Sequence, residues 1–258
     1  MTLPPLLRDR LSLPLIGSPM FIISQPDLVI AQCRSGIVGA FPSLNARPSG
    51  MFERWLQQLG EALTEQDAPF AVNLIVHRTN TRLEEDLELC VRYRVPIVIT
   101  SLGAREDVNQ AIHSYGGIVL HDVINNMFAR KAVEKGADGL IAVAAGAGGH
   151  AGTLSPFALV QEIRQWFDGP LALSGAIATG RAIAAARMMG ADLGYMGTPF
   201  IATQEANAEA AYKQMIVDGS AADIVYSDVF TGVLGNYLRP SIVAAGLDPD
   251  ALPKAKDM

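Results

Sequence analysis

The sequence is poor in the residues on which several kinds of chemistry depend. Its 258 positions hold two cysteines and four histidines. Cys33 and Cys90 show no CxxC or Cys/His spacing, and HxxxH and HExxH are missing too, so the pattern of a metal centre is absent. Both cysteines sit in amphipathic, helix-like stretches and read as fillers of the core or its margin. There is no GxSxG elbow to supply an acyl-transfer nucleophile and no Walker-type phosphate loop. Lysine and arginine never form a run of five, and the net charge is −6. A nucleic-acid backbone would find no counter-charge, which excludes it as an expected partner. No apolar stretch reaches the roughly 18 residues that span a bilayer. The opening MTLPPLLRDRLSLPLIGSPM is broken by prolines and charges where a signal peptide needs an apolar run. A cytoplasmic protein without a membrane partner is expected.

What is present is core. Half of the residues are hydrophobic and 18% are charged, enough to bury one large α/β barrel or two smaller domains. Short β-branched or apolar runs alternate with longer segments of i, i+3, i+4 periodicity, the signature of βαβ units. The strand candidates are Leu15–Gly17, Ile37–Phe41, Phe70–Leu74, Ile97–Ser101, Ile118–Asp122, Gly139–Val143, Pro170–Ser174 and Leu193–Met196. Eight strands close a barrel. An open doubly wound sheet would show the same alternation, but no GxGxxG follows the first strand. The phrases KGADGLIAV and MGADLGYMG each combine a helix-ending glycine, a turn and a buried strand, like one unit used twice. From Asp218 onward glycines and prolines interrupt the pattern. The expected fold is therefore a (β/α)8 TIM barrel over residues 1–217, with residues 218–258 forming a loop and short-helix lid on it.

In such a barrel the site lies at the C-terminal ends of the strands. Four glycines surround one histidine in AAGAGGHAG, residues 144–152. Gly148 and Gly149 would let backbone approach a planar ligand, and His150 would project a titratable group at it. Ser174 and Gly175, with Thr179, precede a helix start, and Gly197 and Thr198 follow the eighth strand. Loops seven and eight of these barrels recurrently hold phosphate, so the pair points to a phosphorylated cofactor. Asn73 ends a buried strand with a side chain able to donate and accept, which suits a flavin edge as well as a helix cap. Asp122 could face the site or cap a helix. His77, His113 and His121 lack a glycine-rich frame and read as surface or structural.

Taken together, Pro19-Met20, Gly36-Ile37-Val38-Gly39, Asn73 in AVNLIV, Ala147-Gly148-Gly149-His150, Ser174-Gly175-Ala176-Ile177 and Met196-Gly197-Thr198-Pro199-Phe200 resemble the nitronate monooxygenases in order and spacing over nearly the whole chain. The resemblance implies FMN, held by Met20, Asn73, Gly148, Gly175 and the stretch Tyr195-Met196-Gly197-Thr198, with His150 as the active-site histidine beside it. Three departures stand out. Val143 and Gly146 occupy positions where the family usually has Gln and Glu, Tyr195 stands where it commonly has Gln, and a Trp-containing tail that usually follows lies beyond this sequence.

Two activities follow from the resemblance. One is oxidation of alkyl nitronates by O2 to a carbonyl compound and nitrite, with Met20, Ile22 and Ile23 as apolar walls. The other is NAD(P)H-dependent reduction of quinones or enoyl thioesters, with Arg47, Arg78 and Arg239 as candidate nucleotide contacts. A ligand-binding protein without activity is a third reading. A homodimer is expected on general grounds alone.

Overall fold

The structure, a computed structural model, describes residues 3–252. Its strands are, in chain order, β1 (Leu15–Gly17), β2 (Gly39–Pro42), β3 (Phe70–Ile75), β4 (Ile97–Ser101), β5 (Ile118–Val123), β6 (Gly139–Val143), β7 (Gly149–His150), β8 (Leu171–Ser174), β9 (Leu193–Met196), β10 (Ile224–Ser227) and β11 (Gly235–Leu238). The helices are α1 (Pro5–Arg8), α2 (Pro26–Arg34), α3 (Met51–Ala62), α4 (Leu83–Arg92), α5 (Glu106–His113), α6 (Asn126–Glu134), α7 (Pro156–Arg164), α8 (Gly180–Met189), α9 (Thr198–Ile201), α10 (Ala210–Asp218) and α11 (Arg239–Ala244).

Eight strands pair in parallel in the order β1-β9-β8-β6-β5-β4-β3-β2. The two ends of that sheet meet: Gly17 N donates to Val38 O at 2.7 Å and Val38 N to Leu15 O at 3.1 Å. The barrel is closed, as the eight sequence runs imply. Four of the eight expected strands have their expected limits, and the others shift by one or two residues. The largest shift is in β2, because Val38 makes the closing bridge to Ile16 of β1 while Ile37 N returns to Gln32 O in α2.

Side chains alternate along each strand. One set, including Ile16, Val38, Ala40, Ala71, Ile97, Ile99, Leu120, Ile141, Ala172 and Leu193, fills the barrel. The other packs outward against the helices, with Val72, Leu74, Val98 and Val119 meeting Cys90 of α4 in one cluster, and Leu140, Ala142, Leu173 and Met196 meeting Leu159 of α7 in the other. Cys33 and Cys90 are free and buried in this outer layer.

The two GAD phrases make the same hydrogen bonds. Gly136 and Gly190 take positive φ of 92° and 112° at helix ends, a conformation that favours glycine. Ala137 N and Ala191 N then return to Ala132 O and Ala186 O. Asp138 Oδ2 accepts from Val119 N at 2.7 Å, and Asp192 Oδ2 from Leu171 N at 2.9 Å. Each aspartate thus ties its own loop to the start of the preceding barrel strand. Arg164 reinforces the second copy, donating to Gly190 O, Phe167 O, Gly169 O and Asp192 Oδ2 from a nearly buried position.

The segment after Asp218 contains more order than its composition implies. β10 and β11 form a hairpin, and β11 also pairs antiparallel with β7, placing Gly235 opposite His150 and Asn236 opposite Gly149. These strands have too few residues and too much exposure to show clear alternation, and glycines flank them. No helix among the described residues is long and apolar enough to cross a membrane.

Candidate active site

Strand alternation decides which side chains meet at the barrel mouth. Counting two residues along from the inward-facing Ala71, Ile99, Leu120, Ile141, Ala172 and Leu193 gives Asn73, Ser101, Asp122, Val143, Ser174 and Tyr195. The apolar barrel is therefore capped by a layer that is polar except at Val143. Three of its members are linked. Asn73 Nδ2 donates to Ile99 O at 3.0 Å and to Ser101 Oγ at 2.7 Å, and Ser101 Oγ donates to Asp122 Oδ2 at 2.6 Å. Asp122 Oδ1 is buried with no hydrogen-bond partner among the described residues. Burial pushes the Asp122 carboxyl up to about 6, against a smaller lowering by Ser101. Burial, then the charge of Asp122, raises the Tyr195 phenol well above its ordinary value.

Residues one position away face the other side. Thr100 and His121 bond each other at 2.6 Å beneath the helices, and burial lowers the imidazole to about 4, so His121 is a neutral structural group. Met196 likewise puts its side chain into the outer core. Its carbonyl accepts from Ser18 N at 2.8 Å, joining the ends of β1 and β9.

The glycine loops converge above the same layer. Gly175 has φ +146°, and a Cβ there would lie 2.8 Å from Ala145 O, so only glycine fits. Ala176 N donates to Gly146 O at 2.9 Å, joining the β8 loop to the β6 loop. A Cβ on Gly197 would meet Met20 Sδ at 3.3 Å, which brings the β1 and β9 loops together. Gly148 is different: a Cβ there would meet nothing nearer than Thr198 Oγ1 at 3.9 Å, and one on Gly149 would meet nothing within 4 Å. Protein packing does not account for the small residue at Gly148. An approaching ligand would. Thr179 caps α8, accepting from Ala182 N at 3.2 Å, and leaves the first amides of that helix to solvent or ligand.

Met20 sits on a clamped loop. Asn45 accepts from Ile22 N at 2.8 Å and donates to Met20 O at 2.9 Å and Ser24 O at 2.8 Å. This holds Ile22 at φ 67°, a strained value for a β-branched residue. Ile22, Leu102 and Ala176, three of the four non-glycine residues with positive φ among the described residues, lie on loops at the mouth. Sequence reading missed Asn45, whose position outside any motif gives no local signal.

His150 stands apart from the layer. It is exposed on β7, and its Nε2 lies 3.0 Å from Thr231 Oγ1, which lies 3.3 Å from the Tyr237 hydroxyl. Asn236 Nδ2 donates to Ala147 O at 2.6 Å. The loop carrying Gly148, Gly149 and His150 is thus held by the hairpin after residue 218, a partnership no sequence spacing could reveal. One surface hollow of about 440 Å3 lies against Gln214, Met215 and Pro240, and another of about 460 Å3 against Arg47, Pro48 and Arg82.

A closed parallel barrel with a polar layer and converging glycine loops at its C-terminal mouth defines the class, a (β/α)8 enzyme built to hold a ligand there. Residues 78–244 match the nitronate monooxygenase family. The chain belongs to that family. It is 25% identical to the nitronate monooxygenase of Paraburkholderia phytofirmans over 92% of this chain and 76% of that one. It is 24% identical to a Rhodococcus jostii 5-hydroxy-7a-methyl-1-oxo-octahydro-1H-indene-4-carboxyl-CoA dehydrogenase over 89% of this chain, which spans 64% of that relative's length. Among solved structures, FabK from Thermotoga maritima superposes with a TM-score of 0.82 at 29% identity, over 91% of this chain and 73% of that one. The nitroalkane oxidase of Streptomyces ansochromogenes shares the fold, with a TM-score of 0.81 at 24% identity, over 90% of this chain and 78% of that one.

Proposed function

We propose that this chain is an FMN-dependent oxidoreductase that oxidises alkyl nitronates, such as propionate 3-nitronate, with O2. The observation that carries the cofactor is the open cradle at Gly148 beside Thr198, set over a layer whose Asp122 Oδ1 is buried without a partner. That combination of a glycine with room above it and an unsatisfied carboxyl oxygen below fits a planar ring with a polar edge. When bound, FMN supplies the electron acceptor for the nitronate and the route to O2, the products being a carbonyl compound and nitrite.

The residues divide the remaining work. Gly148, Gly149, Gly175, Gly197 and Thr198 give backbone access for the ring and phosphate, while Asn73, Ser174 and Tyr195 offer side-chain hydrogen bonds. Met20 supplies an apolar wall. His150 hydrogen-bonds the nitro oxygens, or takes the carbon proton of a neutral nitroalkane. The segment from residue 218 onward acts as a lid, with its hairpin holding the histidine loop.

A second reading has its own support. Phe21, Ile22, Leu102, Met127, Phe128 and Phe157 are exposed on βα loops or first helical turns, an apolar rim broader than a small nitronate needs. This favours NAD(P)H-dependent reduction of a bulkier quinone or enoyl thioester, a substrate class related to the CoA ester in the Rhodococcus relative's name. Of the candidate nucleotide contacts, Arg47 lies over the Phe21 ring on that rim, whereas Arg239 is paired with Asp250. Anaerobic mixing of the flavin-loaded protein with propionate 3-nitronate, and separately with NADH and NADPH, distinguishes the two. Bleaching of the flavin band by nitronate alone, lost in His150→Ala, supports the oxygenase. Bleaching by reduced nucleotide alone overturns it.

A further inference from the structure

The mouth contains a titratable group beyond the histidine. Asp122 is reached by a hydrogen-bond chain with one possible direction. Asn73 Nδ2 can only donate, so the Ser101 hydroxyl, accepting from it, gives its proton to Asp122 Oδ2. This leaves Oδ1 as the end of the chain, buried and without a partner. A buried carboxyl oxygen in that state is costly unless a ligand completes it. None of the described groups around Asp122 does so. Val143 follows Ile141 on the neighbouring β6 and is apolar, His121 on the same strand turns outward to Thr100, and among the described residues no cation is paired with the carboxyl. Tyr195 is the titratable group that faces it, and its phenol stays neutral.

We propose that Asp122 is a ligand-binding acid of this site, carrying a proton at Oδ1 that it donates in a hydrogen bond to the polar edge of the bound flavin, so that binding is coupled to proton uptake. The proposal rests on the flavin reading above. Its sign follows from linkage. If only the protonated carboxyl completes the bond, affinity is constant at low pH and falls about tenfold per pH unit once the carboxyl ionises. Burial places that point near 6. The Asp122→Asn substitution puts an amide donor there at every pH.

The test is titration of the apoprotein with FMN and with riboflavin from pH 5 to 8.5, following flavin fluorescence. Riboflavin is included because the FMN phosphate itself titrates near pH 6. Wild type is expected to bind at least about a hundredfold more weakly at pH 8.5 than at pH 5.5. Asp122→Asn is expected to lose most of that dependence and bind near the low-pH limit of wild type. Ser101→Ala, by removing a bond that favours the ionised form, is expected to move the fall in affinity to higher pH. Wild-type binding whose pH profile is shared by Asp122→Asn overturns the assignment and leaves the flavin reading intact. Failure of every protein to bind either flavin at any pH overturns both.

Discussion

Asp122 shows how far a residue's chemistry can depart from its type once its surroundings are fixed. Its carboxyl has an ordinary value of 3.8 and is raised to about 6 in the fold. Below the lower value both states are protonated and nothing is gained or lost. Between the two the unfolded chain ionises while the folded one resists, so stability falls as pH rises, and above 6 the full penalty is present. At 1.36 kcal/mol per unit this amounts to roughly 3 kcal/mol. Asp122→Asn is therefore expected to gain roughly 2–3 kcal/mol relative to wild type between pH 4 and pH 7, read from urea denaturation at both. An unchanged difference would show that the carboxyl is solvated. Gly148 tests the cradle from the other side. With no protein atom closer than Thr198 Oγ1 at 3.9 Å, Gly148→Ala is expected to change stability by less than about 1 kcal/mol. FMN affinity should nevertheless drop, by about tenfold or more, as measured by fluorescence titration.

At the scale of elements, two connections govern the positions of the working parts. Arg164 ties α7 to the loop entering β9 through two hydrogen bonds, to Gly190 O and at 2.5 Å to Asp192, and to the loop entering β8 through two more, to Phe167 O and Gly169 O. Its replacement leaves Asp192 and three carbonyls without their cation in a nearly buried place. Arg164→Met is expected to destabilise by about 3–5 kcal/mol, measured by chemical denaturation, and Asp138→Asn in the equivalent unit by clearly less. The corresponding pair there, His113 and Asp138, is about one third exposed. The hairpin makes the second connection. Thr231 meets His150 from across β11. Thr231→Val should keep the melting temperature while lowering kcat/KM for nitronate about tenfold, through loss of imidazole orientation. A change in melting temperature with unaltered kinetics would assign Thr231 to the hairpin alone.

The whole molecule divides into a barrel whose strands are buried on both faces and a C-terminal hairpin exposed on much of its surface. Backbone amides of β3 to β6 are expected to exchange with deuterium only on global unfolding. Those of β10 and β11 should exchange orders of magnitude faster and slow down on adding FMN. Equal protection in both regions without ligand would show that the hairpin is part of one cooperative unit.

The sequence alone determined the eight strands, because each is a short apolar run buried on both faces and bounded by glycine, proline or aspartate. It also determined the glycine loops, because positions such as Gly175 admit no other residue. Which strand residues meet at the mouth followed only from tertiary structure. Period-two alternation sets Asp122 inward and His121 outward, and a one-residue shift in register would exchange them. Likewise Asn45 reaches Met20 across 25 positions and Thr231 reaches His150 across 81. Contacts of that span leave no local pattern, since they are fixed by barrel closure and hairpin pairing and not by the propensities of the residues that make them.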